Sequence, residues 1–247
     1  MIMAIMIKKH IPNFVTSLNL FFGVVAIIYV GKGMLSHAAL FVGVAALMDF
    51  FDGLVARLLK VSSEIGKELD SLADVVSFGV APGLMAYQLI KISGASVMVA
   101  SVNLLPFIGI LIPVFSALRL AKFNIDNTQS DSFKGLPVPA NAIFFASFPL
   151  IVNAQFFNSG ILHHFLSPLF QNTFFLIILV VVFSFLLVAP FRLFSLKLKK
   201  RSWSMNKIQL IFLLISLVSL IVFNFAAVPL IIVIYVLLSL LFYRENN

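Results

Sequence analysis

The chain has 247 residues, 62% of them hydrophobic and only 11% charged, with a mean hydropathy of +1.13. That composition excludes a soluble globule and a disordered tail, and the absence of cysteine excludes a disulfide scaffold, a thiol nucleophile and a thiolate metal site. The net charge of +8 does not argue for nucleic acid, because basic residues beside apolar spans ordinarily set topology and meet anionic lipid head groups.

A helix crossing the hydrocarbon core needs about 20 mainly apolar residues. Windows of that size predict spans at 14–31, 35–59, 71–91, 95–119, 137–158, 172–191, 206–225 and 226–243. Lys8 and Lys9 ahead of the first span, with small residues Ser36, Ala38 and Ala39 after it, have the outline of a cleavable leader. The spans that follow favour a first membrane helix instead. Pro82, Pro106 and Pro113 are expected to bend spans three and four and open a cavity sideways to lipid. His163 and His164 are expected in an outer loop. Lys197, Lys199, Lys200 and Arg201, with Trp203, read as an orientation signal. The last two spans share the apolar run 208–243, in which Asn224 and Pro229 either separate two helices or kink one. The 28 phenylalanines suit lipid-facing and packing surfaces.

Every lysine and arginine except Lys32 and Lys91 falls on one side of this arrangement. Positive charge is retained in the cytoplasm, so both termini are expected there, with an even number of spans. The fold class is therefore an all-α integral membrane protein of about eight transmembrane helices, one membrane domain over 1–247.

Only nine residues are acidic, and four aspartates flank one short cytoplasmic turn. Asp49, Asp52, Gly53 and Ala56 follow i, i+3, i+4, i+7 spacing toward the end of span two. Gly66, Asp70 and Asp74 follow i, i+4, i+8 spacing at the start of span three. Antiparallel neighbours would aim both faces inward. Four carboxylates together repel, each close pair by roughly 4 kcal/mol at 4 Å and an effective dielectric near 20. Arg57 alone cannot neutralise them. Hard oxygen donors without nearby Cys or His favour Mg²⁺ or Mn²⁺, and four carboxylates suit two ions about 3.5–4 Å apart. The plainer alternative is four interfacial aspartates paired with Arg57, Lys60 and Lys67, and the glycines could serve packing rather than ligand approach.

The run DFFDGLVARLLKVSSEIGKELDSLAD at 49–74 resembles the signature of the CDP-alcohol phosphotransferase family. That pattern is Asp, two residues, Asp-Gly, two residues, Ala-Arg, eight residues, Gly, three residues, Asp, three residues, Asp. Asp49, Asp52, Gly53, Ala56, Arg57, Gly66, Asp70 and Asp74 meet it without departure. The resemblance implies that Asp49, Asp52, Asp70 and Asp74 bind two divalent ions, with Asp74 also the general base. It implies Gly53, Ala56, Arg57, Ser63 and Gly66 as contacts to the CDP-lipid, although Ser63 equally suits a helix N-cap. The implied chemistry is displacement at the lipid-bearing phosphorus by an alcohol, releasing CMP.

The segment IPNFVTSLNLFFG at 11–23 is similar to the opening of bacterial integral-membrane phosphatidylserine synthases. Asn13 and Thr16 would there face the nucleotide, or else simply cap the first helix. LRLAKFN at 118–124 and FKGLPVPA at 133–140 also resemble that subfamily, with Lys122 where arginine is usual. The loop 119–140 offers Arg119, Lys122, Asn124 and Lys134 to an acceptor, with Asp126 and Asp131 for an ammonium, or is an ordinary basic loop. Gly135, Pro137 and Pro139 end it and start span five. By this resemblance the substrates are CDP-diacylglycerol and L-serine, the site is the cytoplasmic face of a bacterial inner membrane, and a homodimer is common. Glycerol 3-phosphate or inositol phosphate stays open as acceptor. A cation-coupled transporter is the rival class, but its polar positions should continue to the opposite side, and here the acids gather at one end.

Overall fold

The computed structural model describes residues 2–125, 133–153, 161–193 and 203–245. The chain is helical almost throughout. Helix α1 (Ile2–Gly31) and helix α2 (Leu35–Leu59) form an antiparallel pair. Gly33, at φ +73°, reverses the chain between them, with Met34 N–H donating to the Tyr29 carbonyl and Gly33 N–H to that of Val30. Helix α1 starts well before the predicted 14, because a hydropathy window marks where a helix becomes apolar and not where it begins. Ser36, Ala38 and Ala39 are buried within α2.

Helix α2 ends in the same kind of turn. Lys60 is left-handed at φ 53°, Val61 N–H donates to the Ala56 carbonyl and Lys60 N–H to that of Arg57. Helix α3 (Glu64–Asp74) then begins on Ser63, whose hydroxyl accepts from Gly66 N–H at 3.0 Å. The chain continues through a π-helical turn, Val75–Val80, into helix α4 (Ala81–Ile92). Pro82 donates no hydrogen bond and crowds the carbonyl four residues upstream, and the helix accommodates it by widening the turn before it. The bend predicted at Pro82 is thus a π turn placed directly after Asp74.

Span four starts later than the predicted 95. Gly94 has φ +93°, and residues 98–103 form a two-stranded turn, β1 (Met98–Val99) against β2 (Val102–Asn103). The Asn103 side chain clasps it, accepting from the Val97 and Leu105 N–H groups and donating to the Ala95 carbonyl. A 3₁₀ turn (Leu105–Ile110) with Pro106 in its first turn leads into helix α5 (Leu111–Ile125). Helix α6 (Val138–Val152) stops at Asn153, short of the predicted 158. His163 and His164 belong to a short helix, α7 (Ile161–Phe170), rather than a loop. Helix α8 (Thr173–Val188) is capped by the Asn172 side chain, which accepts from Phe175 N–H at 3.0 Å. Lys197, Lys199, Lys200 and Arg201 lie outside the described residues, as do Asp126 and Asp131.

Helix α9 (Trp203–Phe223) and helix α10 (Ala227–Glu245) resolve the ambiguity of the last apolar run. The rings of Phe212 and Tyr235 lie 5.7 Å apart, which an unbroken helix could not allow over that separation. Asn224, at φ 49°, is the reversal point. The two spans are separate.

The expected spans thus correspond to α1, α2, α3 with α4, α5, α6, α8, α9 and α10, in an all-helical membrane protein. Stretches His10–Gly31, Leu35–Leu59, Glu64–Ile92 and Leu105–Ile125 are long and apolar enough to cross, as is the apolar run that the final hairpin divides. Helices α6 and α8 are shorter. Helix α6 is buried along most of its length and anchors the core. Phe144 stacks on Phe183 at 3.8 Å, and Phe148 on Phe170 at 4.1 Å. Other phenylalanines, including Phe14, Phe21, Phe165 and Phe174, face outward as a lipid-solvated surface requires.

Two short contacts fix the end that carries the aspartates. Strand β3 (Phe133–Lys134) pairs with β4 (Arg192–Leu193), and Leu136 N–H donates to the Leu186 carbonyl at 2.9 Å. Gly135, at φ +72°, lies so close to the Leu187 carbonyl that a side chain would collide. Pro137 and Pro139 then start α6, as expected. Helix α4 crosses the 3₁₀ turn before α5 through glycines. A Cβ on Gly109 would stand 2.7 Å from the Tyr87 backbone nitrogen and 2.8 Å from the Gly83 carbonyl oxygen. Gly109→Ala is therefore expected to destabilise by about 1–3 kcal/mol, and an unchanged thermal midpoint in detergent would contradict that close crossing.

Candidate active site

The two acidic edges meet. One carboxylate oxygen from each of Asp49, Asp70 and Asp74 lies within 4.8 Å of the other two, so residues from α2 and α3 share one small volume. Asp52 stands beside this triad rather than in it. Its Oδ2 accepts from the Thr16 hydroxyl at 2.7 Å, and the same hydroxyl lies 3.1 Å from the Pro12 carbonyl. Asp74 Oδ1 accepts from Asn19 Nδ2 at 3.2 Å, while Oδ1 of Asp70 is buried with no partner among the described residues. Asp52 and Asp74 are each only 7% exposed. Buried carboxylates at such spacing need positive charge, and an unpaired buried charged oxygen costs more than the 1–3 kcal/mol of a neutral group.

Arg119 directs one charge toward Asp74, but Arg57 and Lys67 are engaged elsewhere. Arg57 is exposed and its Nε donates to the Gly53 carbonyl at 2.9 Å, while Lys67 Nζ donates to the Asn124 carbonyl at 3.2 Å. The predicted alternative was pairing with Arg57, Lys60 and Lys67, and Arg57 and Lys67 instead donate to backbone carbonyls. A donor set of carboxylate oxygens on two rigid helices, without His or Cys, fits a hard divalent cation.

Two cavities flank the aspartates. The first, about 270 Å³, opens between α1, α2 and α3 and is lined by Asn13, Thr16, Asp52, Gly53, Ala56, Ser63 and Gly66 among others. The second, about 250 Å³, lies between α3, α5 and the start of α6, and its lining includes Asp74, Arg119, Asn124 and Pro137. Lys67 and Asp70 line both. Asp70 therefore stands where the two cavities adjoin.

Most residues predicted to contact a CDP-lipid gather around the first cavity. Gly53 has open space where a Cβ would be, in keeping with ligand approach to the backbone. Gly66 is different. A Cβ there would come within 2.7 Å of Asn13 Oδ1 and 2.9 Å of Ser63 Oγ, so this glycine lets α1 approach α3. Ser63 is both helix cap and cavity wall. Asn13 and Thr16 lie well inside α1, so neither caps it. Arg57 is outside the cavity lining, although its Nε donates to the carbonyl of Gly53, which is within it.

The acceptor residues are divided. Arg119 is 8% exposed, lines the second cavity and lies over the Phe123 ring at 5.9 Å, with its Nε unpartnered. Asn124 also lines that cavity and donates to the Ser71 hydroxyl at 2.9 Å. Lys122 is exposed and outside the lining, and Lys134 is placed only by its backbone in β3. Lys67, read from sequence as a topology signal, takes a position at both cavities.

Asn19 and Ser77 are the other residues that sequence reasoning passed over. The Ser77 hydroxyl donates to the Asn19 carbonyl at 3.0 Å, and Gly23 packs directly on Ser77. A signal existed. Asn13, Thr16, Asn19 and Gly23 recur every three or four residues along an otherwise apolar helix, marking one polar, close-packed face.

With this geometry in hand, the lineage is clear. A family model for CDP-alcohol phosphatidyltransferases matches residues 9–169, and the chain belongs to that family. It is 33% identical over 209 residues, 84% of this chain and 80% of the relative, to a CDP-diacylglycerol–serine O-phosphatidyltransferase of Helicobacter pylori. A protein of that name from Bacillus subtilis is 38% identical over 135 residues, 53% of this chain and 70% of its own. An archaetidylserine synthase of Methanothermobacter thermautotrophicus is 36% identical over 142 residues, covering 57% and 58% of the two chains.

Because Thr16 fixes the orientation of Asp52, Thr16→Val is expected to weaken divalent-ion binding by about tenfold or more. Calorimetric titration of the purified protein with Mn²⁺ measures this, and wild-type affinity in the variant would dismiss the positioning role.

Proposed function

We propose that this protein transfers a phosphatidyl group from CDP-diacylglycerol to the hydroxyl of L-serine, giving phosphatidylserine and CMP. The observation that carries the reading is the pair of cavities adjoining at Asp70, with Asp74 on the wall of the second. The names of the similar proteins supply the acceptor. We assign the reaction to one membrane domain, with the nucleotide diphosphate in the first cavity and serine in the second, on the loop 119–140 side. The site is assigned to the cytoplasmic face of the inner membrane, since the lysines and arginines other than Lys32 and Lys91 fall on its side of the spans.

Asp49, Asp52, Asp70 and Asp74 would hold two divalent ions, Mg²⁺ or Mn²⁺. When bound, these supply electrostatic stabilisation of the diphosphate and of charge on the departing CMP. Asp74, steadied by Asn19, accepts the proton of the serine hydroxyl as that oxygen bonds to the lipid-bearing phosphorus. The bond from this phosphorus to the CMP oxygen breaks, and CMP leaves. Gly53 and Ala56 let the nucleotide approach the backbone of α2, and Asn13 and Ser63 offer it polar groups. The Lys67 ammonium, between the cavities, is placed to face phosphate oxygens. Arg119 holds the serine carboxylate.

The decisive experiment supplies CDP-diacylglycerol with labelled serine, glycerol 3-phosphate or inositol phosphate in parallel and identifies the lipid formed. Phosphatidylserine is expected. Label entering only one of the other products would overturn the acceptor. In the same assay Asp70→Asn should lose at least about 10²-fold in turnover, as expected when a charged group stabilising the transition state is removed. Full activity of that variant under controlled metal would sink the metal site itself.

A further inference from the structure

The second cavity contains a place for a positive charge that one of the protein's own side chains occupies. Lys67 lines both cavities, and its Nζ donates to the Asn124 carbonyl at 3.2 Å. It meets this neutral oxygen although Asp70 and Asp74 line the second cavity with it. Asn124 is the penultimate residue of α5, in the last turn, where carbonyls lack intrahelical partners and the helix dipole presents its negative end. An ammonium is what such an end attracts.

Asn124 is also held by contacts that do not involve the lysine ammonium. Its Nδ2 donates to the Ser71 hydroxyl at 2.9 Å, and that hydroxyl donates to the Lys67 carbonyl at 3.2 Å. A side-chain clasp thus joins the end of α5 to α3 and fixes the residue that carries the carbonyl. Asn124, Ser71 and Arg119 all line the second cavity. A guanidinium suited to a carboxylate and a carbonyl suited to an ammonium therefore stand on one helix beside one cavity.

We infer that the Lys67 ammonium stands in for the ammonium of the amino-acid acceptor, and that the donor's diphosphate exchanges one for the other. A diphosphate in the first cavity offers Lys67, which already lines it, fully charged oxygens in place of a partial charge. Drawn there, the lysine uncovers the Asn124 carbonyl, which then accepts from the amino acid while Arg119 takes the carboxylate. Lys67 in this way couples the two substrates, and serine binds well only after the CDP-lipid. An acceptor without an ammonium, such as glycerol 3-phosphate, gains nothing from the uncovered carbonyl. The inference rests on the serine reading of this site and goes beyond it by naming the ammonium subsite and the order of binding.

The test measures binding of labelled L-serine to the full-length protein in detergent with Mn²⁺, with and without CDP, which carries the diphosphate but has no lipid to transfer. In the wild type, CDP is expected to tighten serine binding by about tenfold. Lys67→Met should bind serine about tenfold more tightly than wild type when CDP is absent, and gain nothing further when it is added. 3-Hydroxypropionate, which is serine without its ammonium, should compete no better in the presence of CDP. Wild-type serine affinity indifferent to CDP would overturn the exchange, as would a Lys67→Met variant no tighter than wild type without CDP, or 3-hydroxypropionate enhanced as much as serine. Should Lys67→Met not fold, Lys67→Ala carries the same expectations and the same refutation. A wild type that makes no phosphatidylserine from CDP-diacylglycerol and serine would instead defeat the functional reading.

Discussion

Four carboxylates held at the end of two neighbouring membrane helices are the constraint on which the rest of the molecule turns. At separations near 4 Å each ionised pair repels by an amount on the order of 4 kcal/mol even at an effective dielectric of 20, comparable with the whole stability margin of many domains. Arg119 relieves this only in part, through its attraction to Asp74. Arg57 and Lys67 donate to backbone carbonyls, and the buried oxygen of Asp70 has no partner among the described residues. What the fold supplies instead is rigidity: Thr16 on Asp52, Asn19 on Asp74, and two short capped turns that set the angle between the helices. Such a set of oxygen donors could hold a hard divalent cation.

Close helix approach makes that rigidity affordable in hydrocarbon, where burial of apolar surface no longer drives helices together. Gly23 against Ser77, Gly66 against Asn13, and Gly109 against the backbone of α4 bring helices together where larger residues would hold them apart. The π turn after Asp74 belongs to the same economy. It places Ser77 and Gly79 toward different neighbours, α1 and α5.

The membrane-helical class, the location of the acidic site and the family were legible in the chain because each depends on local chemistry. Apolar runs of the right length specify crossings, and aspartates at helical spacing specify one face. Boundaries were less legible. Span four starts at 105 because Gly94 and Asn103 build a polar turn that an averaged hydropathy window passes over. Span seven and span eight were separable only through the Phe212–Tyr235 contact, since proline and asparagine in an apolar run fit a kink as well as a reversal.

The sequence by itself determined that this is a helical membrane protein of the CDP-alcohol phosphatidyltransferase family with four aspartates at one turn, because spacing along a helix is a property of the backbone alone. Tertiary structure decided which side chains serve which cavity. It left Arg57 and Lys122 outside the cavity linings, brought Lys67 to both cavities, and set Asn19 on Asp74. Those assignments depend on how far apart separate helices stand and how they are rotated, which is fixed by glycine contacts and ring packing between residues distant in the chain.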